Sequence, residues 1–229
     1  MIIGGMRKLS TLDYPTKLCV TVFTEGCNFR CPFCHNSALV LGSGEKLTEN
    51  DIFSFLAKRK GIIDGVCLTG GEPLMQPYSE VASFLEKVKT EGFLVKLDTN
   101  GAFPEKLVSL IKSHLVDYVA MDIKNSPQMY GKTTGIDLDI EAIGKSVAIL
   151  MNGNVDFEFR TTVVRELHSV QNMVEIGKWL SGNEKYFLQM FVPSENVLCD
   201  GLTPYSKDEL EELRQAVLPY VPNAKLRGV

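Results

Sequence analysis

Runs of apolar and β-branched residues alternate along this chain with stretches of helical periodicity. Six of these runs predict β-strands, because each is short and is bounded by glycine, proline or polar clusters. The predicted core strands are Leu18–Thr24, Gly65–Thr69, Phe93–Asp98, Val116–Ile123, Asp156–Val164 and Tyr186–Val192. Since helical segments separate consecutive strands, the strands are expected to pair in parallel through right-handed crossovers.

Capping signals define the predicted helices. Thr48 and Ser206 stand at N-cap positions with an acidic residue three positions later, which is the spacing of a capping box. The helices are predicted from Thr48, over Pro77–Thr90, Pro104–Ser113, Asp139–Met151 and Val170–Leu180, and from Ser206 to before Pro219. The alternation of strands and helices predicts an α/β fold. Because six strands are fewer than the eight of a closed barrel, we expect an open partial (β/α)6 barrel with a parallel sheet and helices outside. It is expected to form a single domain over residues 1–229, with Ile2–Lys8 as a short edge strand.

Composition narrows the class of function. Apolar residues make up 45% of the 229 residues, which is enough for a sizeable core. The net charge of −4 argues against nucleic acid as a partner. No segment has the features of a signal peptide or the length of a transmembrane helix, so we expect no membrane association and a cytoplasmic location. Cys19 and Cys67 lie within strand-like runs and are expected to be buried thiols.

Unusual polar residues follow the carboxyl ends of the predicted strands. Cys27 follows the first strand, Gly70-Gly71-Glu72-Pro73 the second and Asp98-Thr99-Asn100-Gly101 the third. Asp122-Ile123-Lys124 ends the fourth strand. Loops at this edge form the active sites of α/β folds, so we expect these four segments to meet at one site.

Cys27, Cys31 and Cys34 form a C-x3-C-x2-C pattern on one short loop. Three thiolates can hold three corners of an iron–sulfur cluster and leave one iron open, as a catalytic site requires. Zinc with the adjacent His35 is an alternative, and residues 31–35 also match the c-type haem pattern C-x-x-C-H. A disulfide is disfavoured in a cytoplasmic chain.

The cysteine spacing and the segments around it resemble the radical S-adenosylmethionine (radical SAM) superfamily. Within that superfamily, Ser10–Pro15 followed by Phe23–Asn28 resembles the activating proteins of anaerobic ribonucleotide reductase. The resemblance implies the partial barrel of this superfamily and a 4Fe-4S cluster on Cys27, Cys31 and Cys34, with S-adenosylmethionine (SAM) on the open iron. It implies no catalytic side chain beyond the residues that hold the cluster and SAM.

The resemblance also assigns SAM contacts to two of the strand-end segments. The residues concerned are Gly70, Gly71, Glu72, Asp98, Thr99 and Asn100. The first three match the motif that binds the methionine amino group, in which glycines let a ligand touch the backbone. The last three are candidates for contacts with the SAM carboxylate and ribose, with a monovalent cation to offset carboxylate repulsion. Taken alone, either segment could be an ordinary turn.

The pair Asp122 and Lys124 and the residue Arg160 have competing interpretations, and Gln189 departs from the resemblance. Asp122 and Lys124 share one strand face, where they either pair with each other or, as the resemblance implies, lie near SAM. Arg160 either contacts SAM or forms a salt bridge with Glu158. Gln189 stands where activators of pyruvate formate-lyase commonly have histidine, so that part of the resemblance fails.

The remaining candidates are predicted to be structural. His114 and His168 are isolated in the sequence, and we expect neither to be catalytic. His35 is expected to be a neighbour of the cluster rather than a ligand. The segment Tyr130–Gly135 is predicted to be an exposed loop.

The resemblance implies that this chain is an activase for glycyl-radical enzymes. An electron from flavodoxin or ferredoxin would drive SAM cleavage, and a hydrogen atom would leave a glycine of anaerobic ribonucleotide reductase. Alternatives are another glycyl-radical partner such as pyruvate formate-lyase, a radical SAM enzyme for a small molecule, and a non-catalytic iron–sulfur or zinc-binding protein. The Gly-Gly-Glu-Pro and Asp-Ile-Lys segments argue against the last, because a structural metal site needs no SAM-binding residues.

Overall fold

All strands belong to one sheet. A computed structural model describes all 229 residues. The strands are β1 (Ile3–Ser10), β2 (Cys19–Thr24), β3 (Gly65–Gly70), β4 (Leu94–Thr99), β5 (Tyr118–Asp122), β6 (Asp156–Val163), β7 (Tyr186–Met190) and β8 (Lys225–Arg227). Neighbours in the sheet follow chain order; β1 pairs antiparallel with β2, and every later pair is parallel.

Helices connect the parallel strands. They are α1 (Ser37–Val40), α2 (Glu49–Ala57), α3 (Tyr78–Thr90), α4 (Pro104–Lys112), α5 (Tyr130–Thr134), α6 (Ile140–Met151), α7 (Val170–Trp179) and α8 (Lys207–Val217). The capping boxes predicted at Thr48 and Ser206 are confirmed, with Asp51 and Glu209 as their partners. None of these helices combines the length and the apolar character needed to cross a bilayer.

The predicted (β/α)6 arrangement is confirmed. The six predicted core strands correspond to β2–β7, with ends that differ by at most two residues, and the edge strand corresponds to β1. The eighth strand, β8, was not predicted, because three residues are too few for a periodicity signal.

Alternation along the strands separates an apolar outer face from a polar inner face. In β4, Val95 and Leu97 belong to the main hydrophobic core, whereas Lys96 and Asp98 lie on the other face. In β5, Met121 belongs to the core and is followed by Asp122, which lines a cavity on the inner face. Charged groups buried in this way must be paired, so the inner face is where chemistry is expected.

The segment Tyr130–Gly135 is not the exposed loop that the sequence predicted. It forms α5 and its end, and Tyr130, Thr133 and Thr134 are buried. Burial of the threonines is tolerated because their hydroxyl groups have partners inside the protein. Thr133 Oγ1, for example, accepts a hydrogen bond of 2.8 Å from Asn125 Nδ2. The segment therefore packs inside the fold.

Gly135 places this segment against the loop that bears the cysteines, Glu25–Asn36, hereafter the cysteine loop. Gly135 has a φ of +71°, and a Cβ atom there would lie 2.7 Å from the Arg30 carbonyl oxygen. The Arg30 N–H in turn donates to the Thr134 carbonyl at 2.8 Å. The end of α5 thus fixes the middle of the cysteine loop.

Gly135→Ala is expected to destabilise the fold more than Gly182→Ala. Both glycines have positive φ, so both changes incur a left-handed backbone cost of about 1–2 kcal/mol. A Cβ atom at Gly182 meets nothing within 4 Å, whereas the one at Gly135 meets the cysteine loop. Thermal unfolding of the two variants measures the difference, and equal losses would contradict the packing described for Gly135.

Candidate active site

The three cysteines line one cavity at the carboxyl edge of the sheet. The cavity has a volume of about 280 Å³ and is bordered by Cys27, Cys31 and Cys34. Every other residue assigned from the sequence also borders it, namely Gly70, Gly71, Glu72, Asp98, Thr99, Asn100, Asp122, Lys124 and Arg160. The four strand-end segments therefore meet, as expected, because parallel strands end at the same edge.

Hydrogen bonds from the protein hold the cysteine loop in shape. Arg30 Nη1 donates to the carbonyls of Cys27 at 2.6 Å and Phe29 at 2.7 Å, and the Phe29 N–H donates to Cys27 Sγ at 3.3 Å. Burial raises the pKa of Cys27 to about 11 and of Cys31 to about 12. These two thiols are therefore neutral when no metal is bound, and metal binding must displace their protons.

The arrangement of thiols fits a cluster better than a single metal ion. No three His, Cys, Asp or Glu side chains in the structure converge closely enough to hold one ion. A four-iron cluster instead needs thiolates spread around one face, each on a different iron, and three cysteines on the wall of one cavity provide that. His35 Nδ1 lies 3.2 Å from Ser194 Oγ, which gives this ring a partner other than a metal.

Gly70 is required by the end of β2 and Gly71 by the cysteine loop, in addition to the ligand contact that the sequence predicts. Gly70 has a φ of +122°, and a Cβ atom on it would lie 2.3 Å from the Thr24 nitrogen. A Cβ atom on Gly71 would lie 1.9 Å from the carbonyl oxygen of Gly26. The Glu72 N–H donates to that same oxygen at 2.8 Å. A side chain at Gly71 would therefore move the loop that carries Cys27.

The Glu72 side chain joins the loops that follow β3 and β4. Its carboxylate is 1% exposed and accepts hydrogen bonds from Leu74 N–H at 3.0 Å, Thr99 Oγ1 at 2.8 Å and Asn100 N–H at 2.6 Å. Burial raises the pKa of Glu72 to about 7, although these hydrogen bonds favour the charged form. Asn100 Nδ2 in turn donates to Asn28 Oδ1 at 2.8 Å, which extends the connection to the cysteine loop.

Five charged side chains, hereafter the charged row, run across the inner face of β4–β6. Lys96 pairs with Asp98, and Arg160 bridges Asp98 at 3.2 Å and Asp122 at 2.9 Å. Lys124 Nζ lies 3.0 Å from Asp122. Burial opposes ionisation of both carboxyl groups, but Arg160 together with Lys96 lowers the pKa of Asp98, and Arg160 together with Lys124 lowers that of Asp122. Of these five side chains, Asp98, Asp122, Lys124 and Arg160 border the cavity, whereas Lys96 is buried behind them.

The structure shows which ion pairs Asp122, Lys124 and Arg160 form. Asp122 and Lys124 do pair with each other, and both also border the cavity. The salt bridge considered between Arg160 and Glu158 is absent. Glu158 instead accepts two hydrogen bonds from Arg227 of β8, at 2.8 and 3.0 Å.

Sequence reasoning missed several residues of the site. Lys96 is 1% exposed, and its position two residues before Asp98 on the same strand face was the signal that could have identified it. Arg7, Asp13 and Thr21 also border the cavity. Asp13 Oδ2 accepts hydrogen bonds from the other two, from Arg7 Nη1 at 3.1 Å and from Thr21 Oγ1 at 2.5 Å. Asp13 lies in the segment Ser10–Pro15 on which the family resemblance rested.

Two proteins with similar sequences are named as activating enzymes. A protein of Methanocaldococcus jannaschii, provisionally named a glycyl-radical enzyme activating enzyme, is 32% identical over 237 residues, covering 100% of this chain and 96% of its own. A pyruvate formate-lyase-activating enzyme of Listeria monocytogenes is 31% identical over 145 residues, covering 58% of this chain and 57% of its own.

A solved structure shows the same fold. A domain of a pyruvate formate-lyase-activating enzyme from Bacteroides vulgatus superposes with a TM-score of 0.58 at 17% identity, covering 72% of this chain and 99% of that domain. Residues 21–176 match the sequence profile of the radical SAM superfamily, and they span more than half of the chain and most of the cavity wall. The chain belongs to the radical SAM superfamily.

Proposed function

We propose that this chain activates a glycyl-radical enzyme by cleaving SAM and removing a hydrogen atom from a glycine of its partner. The observation that supports this most is the composition of one cavity, whose wall contains three thiols and four of the five members of the charged row. The relative that aligns along the whole chain bears the name of such an activating enzyme.

In this proposal, Cys27, Cys31 and Cys34 hold a 4Fe-4S cluster and leave one iron for SAM. A cluster held by these thiols would supply the electron for reductive cleavage of the carbon–sulfur bond of SAM. The protein fixes the position of the thiols through Gly26, whose carbonyl accepts the Glu72 N–H. The Gly70 carbonyl accepts one hydrogen bond from Asn36 at 3.1 Å and keeps a second lone pair for the SAM amino group.

The charged row would bind the carboxylate of SAM. Arg160 and Lys124 place a guanidinium and an ammonium group at the cavity wall, and both can donate charge-assisted hydrogen bonds to a carboxylate. A monovalent cation is not needed to shield Asp98, because Lys96 and Arg160 already pair with it. Thr99 and Asn100 border the same space, although both also support Glu72.

We propose anaerobic ribonucleotide reductase as the partner, on the resemblance of Ser10–Pro15 and Phe23–Asn28 to its activating proteins. Asp13, within the first segment, borders the cavity together with Arg7 and Thr21. A glycine-bearing loop entering the open side of the barrel would therefore meet these side chains. Pyruvate formate-lyase is the second candidate, because the Listeria relative bears the name of its activase. Flavodoxin or ferredoxin is proposed as the electron donor.

Anaerobically reconstituted protein is expected to bind about four irons and four sulfides per chain. Cys27→Ala, Cys31→Ala and Cys34→Ala should each abolish this binding. Cys199→Ala is the matched control, because Cys199 is exposed and contacts the cysteine loop only through its backbone N–H, 3.0 Å from the Pro32 carbonyl. Stoichiometric zinc with full SAM-cleaving activity would contradict the assignment.

The partner is identified by mixing reduced protein and SAM, without oxygen, with each candidate enzyme. Electron paramagnetic resonance should detect a glycyl radical on anaerobic ribonucleotide reductase, at about one radical per SAM consumed. SAM cleavage without a partner should be slow, since the partner loop excludes water from the cavity only when docked.

Two other results would revise the proposal. A radical on pyruvate formate-lyase alone would change the partner and leave the chemistry. No radical on either enzyme, together with strong stimulation of 5′-deoxyadenosine release by a small molecule, would end the activase assignment.

A further inference from the structure

His168 is buried between two loops that border the cavity, although the sequence suggested no role for it. Its side chain is 2% exposed. The residue directly precedes Ser169, the N-cap of α7, whose capping box fixes where the helix begins. The Tyr205 hydroxyl donates to the His168 carbonyl at 2.6 Å. The backbone of His168 is therefore held on both sides, and its ring direction is fixed.

The hydrogen bonds of the ring select one neutral tautomer. The Val164 N–H donates to Nδ1 at 3.1 Å, so Nδ1 bears no proton. Nε2 lies 2.8 Å from the Lys124 carbonyl oxygen and must donate to it, because the other tautomer would set a lone pair against that oxygen. The Val164 carbonyl, 3.2 Å from Nδ1, already accepts the N–H groups of Leu167 and His168. Burial lowers the pKa of His168, which keeps the ring neutral.

The ring hydrogen-bonds the backbone of Lys124, a residue that borders the cavity. Lys124 directs its amine to Asp122 at the cavity wall, while its carbonyl points to His168. One residue later, Asn125 Nδ2 donates to the Leu167 carbonyl at 2.8 Å. Without the ring, the Lys124 carbonyl and the buried Val164 N–H would both lose their partners, and the backbone would shift to recover them.

The same ring also touches the cysteine loop. It packs edge-on against Phe33, which lies between Cys31 and Cys34, with ring centroids 6.5 Å apart and planes at 70°. The His168 side chain thus contacts both the cysteine loop, through Phe33, and Lys124, whose amine lies at the cavity wall.

We propose that His168 is a positioning residue, which sets the location of the Lys124 amine relative to the cysteine loop. Its effect on SAM rests on the proposed function, in which Lys124 helps to bind the SAM carboxylate. Its effect on Lys124 itself does not, and the two effects are measured separately.

Three substitutions separate the hydrogen bond from the volume of the ring. His168→Phe keeps an aromatic ring against Phe33 and removes both ring nitrogens. His168→Gln places an amide N–H at the distance of Nε2 and can still donate to Lys124. His168→Asn is too short to reach that carbonyl. Tyr118→Phe is the control for loss of a buried hydrogen bond, since the Tyr118 hydroxyl contacts only Glu158, at 3.2 Å on the inner face.

The first readout needs no SAM. Anaerobically purified holoprotein is treated with acetic anhydride, and acetylation of Lys124 is followed by mass spectrometry against Lys178, which is 51% exposed. Loss of one buried hydrogen bond predicts a rise of about fivefold or more in the relative rate for His168→Phe and His168→Asn. His168→Gln and Tyr118→Phe should react like the wild type.

The second readout is SAM affinity, measured by equilibrium dialysis on the same holoproteins. The Kd for SAM should rise about fivefold or more in His168→Phe and His168→Asn, with iron content unchanged, and His168→Gln should restore it. If His168→Phe does not fold, the comparison of His168→Asn with His168→Gln decides.

Equal Lys124 reactivity in His168→Asn, His168→Gln and the wild type would overturn the inference. So would a SAM affinity in His168→Phe that matches that of Tyr118→Phe. Failure of the wild-type protein to bind SAM would instead overturn the proposed function, and the acetylation readout would then decide the role of His168 alone.

Discussion

The approach of the Gly71 backbone to Gly26 is the constraint on which the site depends. The cysteine loop has almost no regular structure of its own, so its shape is set by the groups around it. Gly71 permits contact with the Gly26 carbonyl, Glu72 hydrogen-bonds that carbonyl, and Gly135 supports the loop at Arg30. Two glycine contacts on separate loops therefore hold the three thiols at the cavity.

The inner face of the sheet is organised before any ligand arrives. The charged row satisfies its own members, so Asp98 and Asp122 are ionised although both are partly buried. A preorganised set of charges binds and orients a ligand without reorganising during the reaction, which is how electrostatic catalysis is efficient. Glu72 holds a second part of the site in place, since its carboxylate connects the loops that follow β3 and β4.

Much of this could be predicted from the sequence, because strand periodicity and the edge rule of parallel sheets are local signals. The segments beginning at Cys27, Gly70, Asp98 and Asp122 were brought together by that rule alone. The features that could not be predicted depend on contacts between segments that are distant in the sequence. They are the contact of Gly71 with Gly26, the salt bridge of Arg160 with Asp122 rather than Glu158, and the burial of α5. Lys96 was missed because a lysine in an apolar run is informative only when its strand face is known.

Iron content of Gly71→Ala, after anaerobic reconstitution, tests most directly whether this contact shapes the cysteine site. A Cβ atom 1.9 Å from the Gly26 oxygen requires backbone movement, so we expect about half the wild-type iron or less. Gly144→Ala in α6 is the control, because a Cβ atom there meets nothing within 4 Å, and it should bind the full complement. Full iron content in Gly71→Ala, with weakened SAM binding as the only defect, would contradict the account and return the glycine to a role at the ligand.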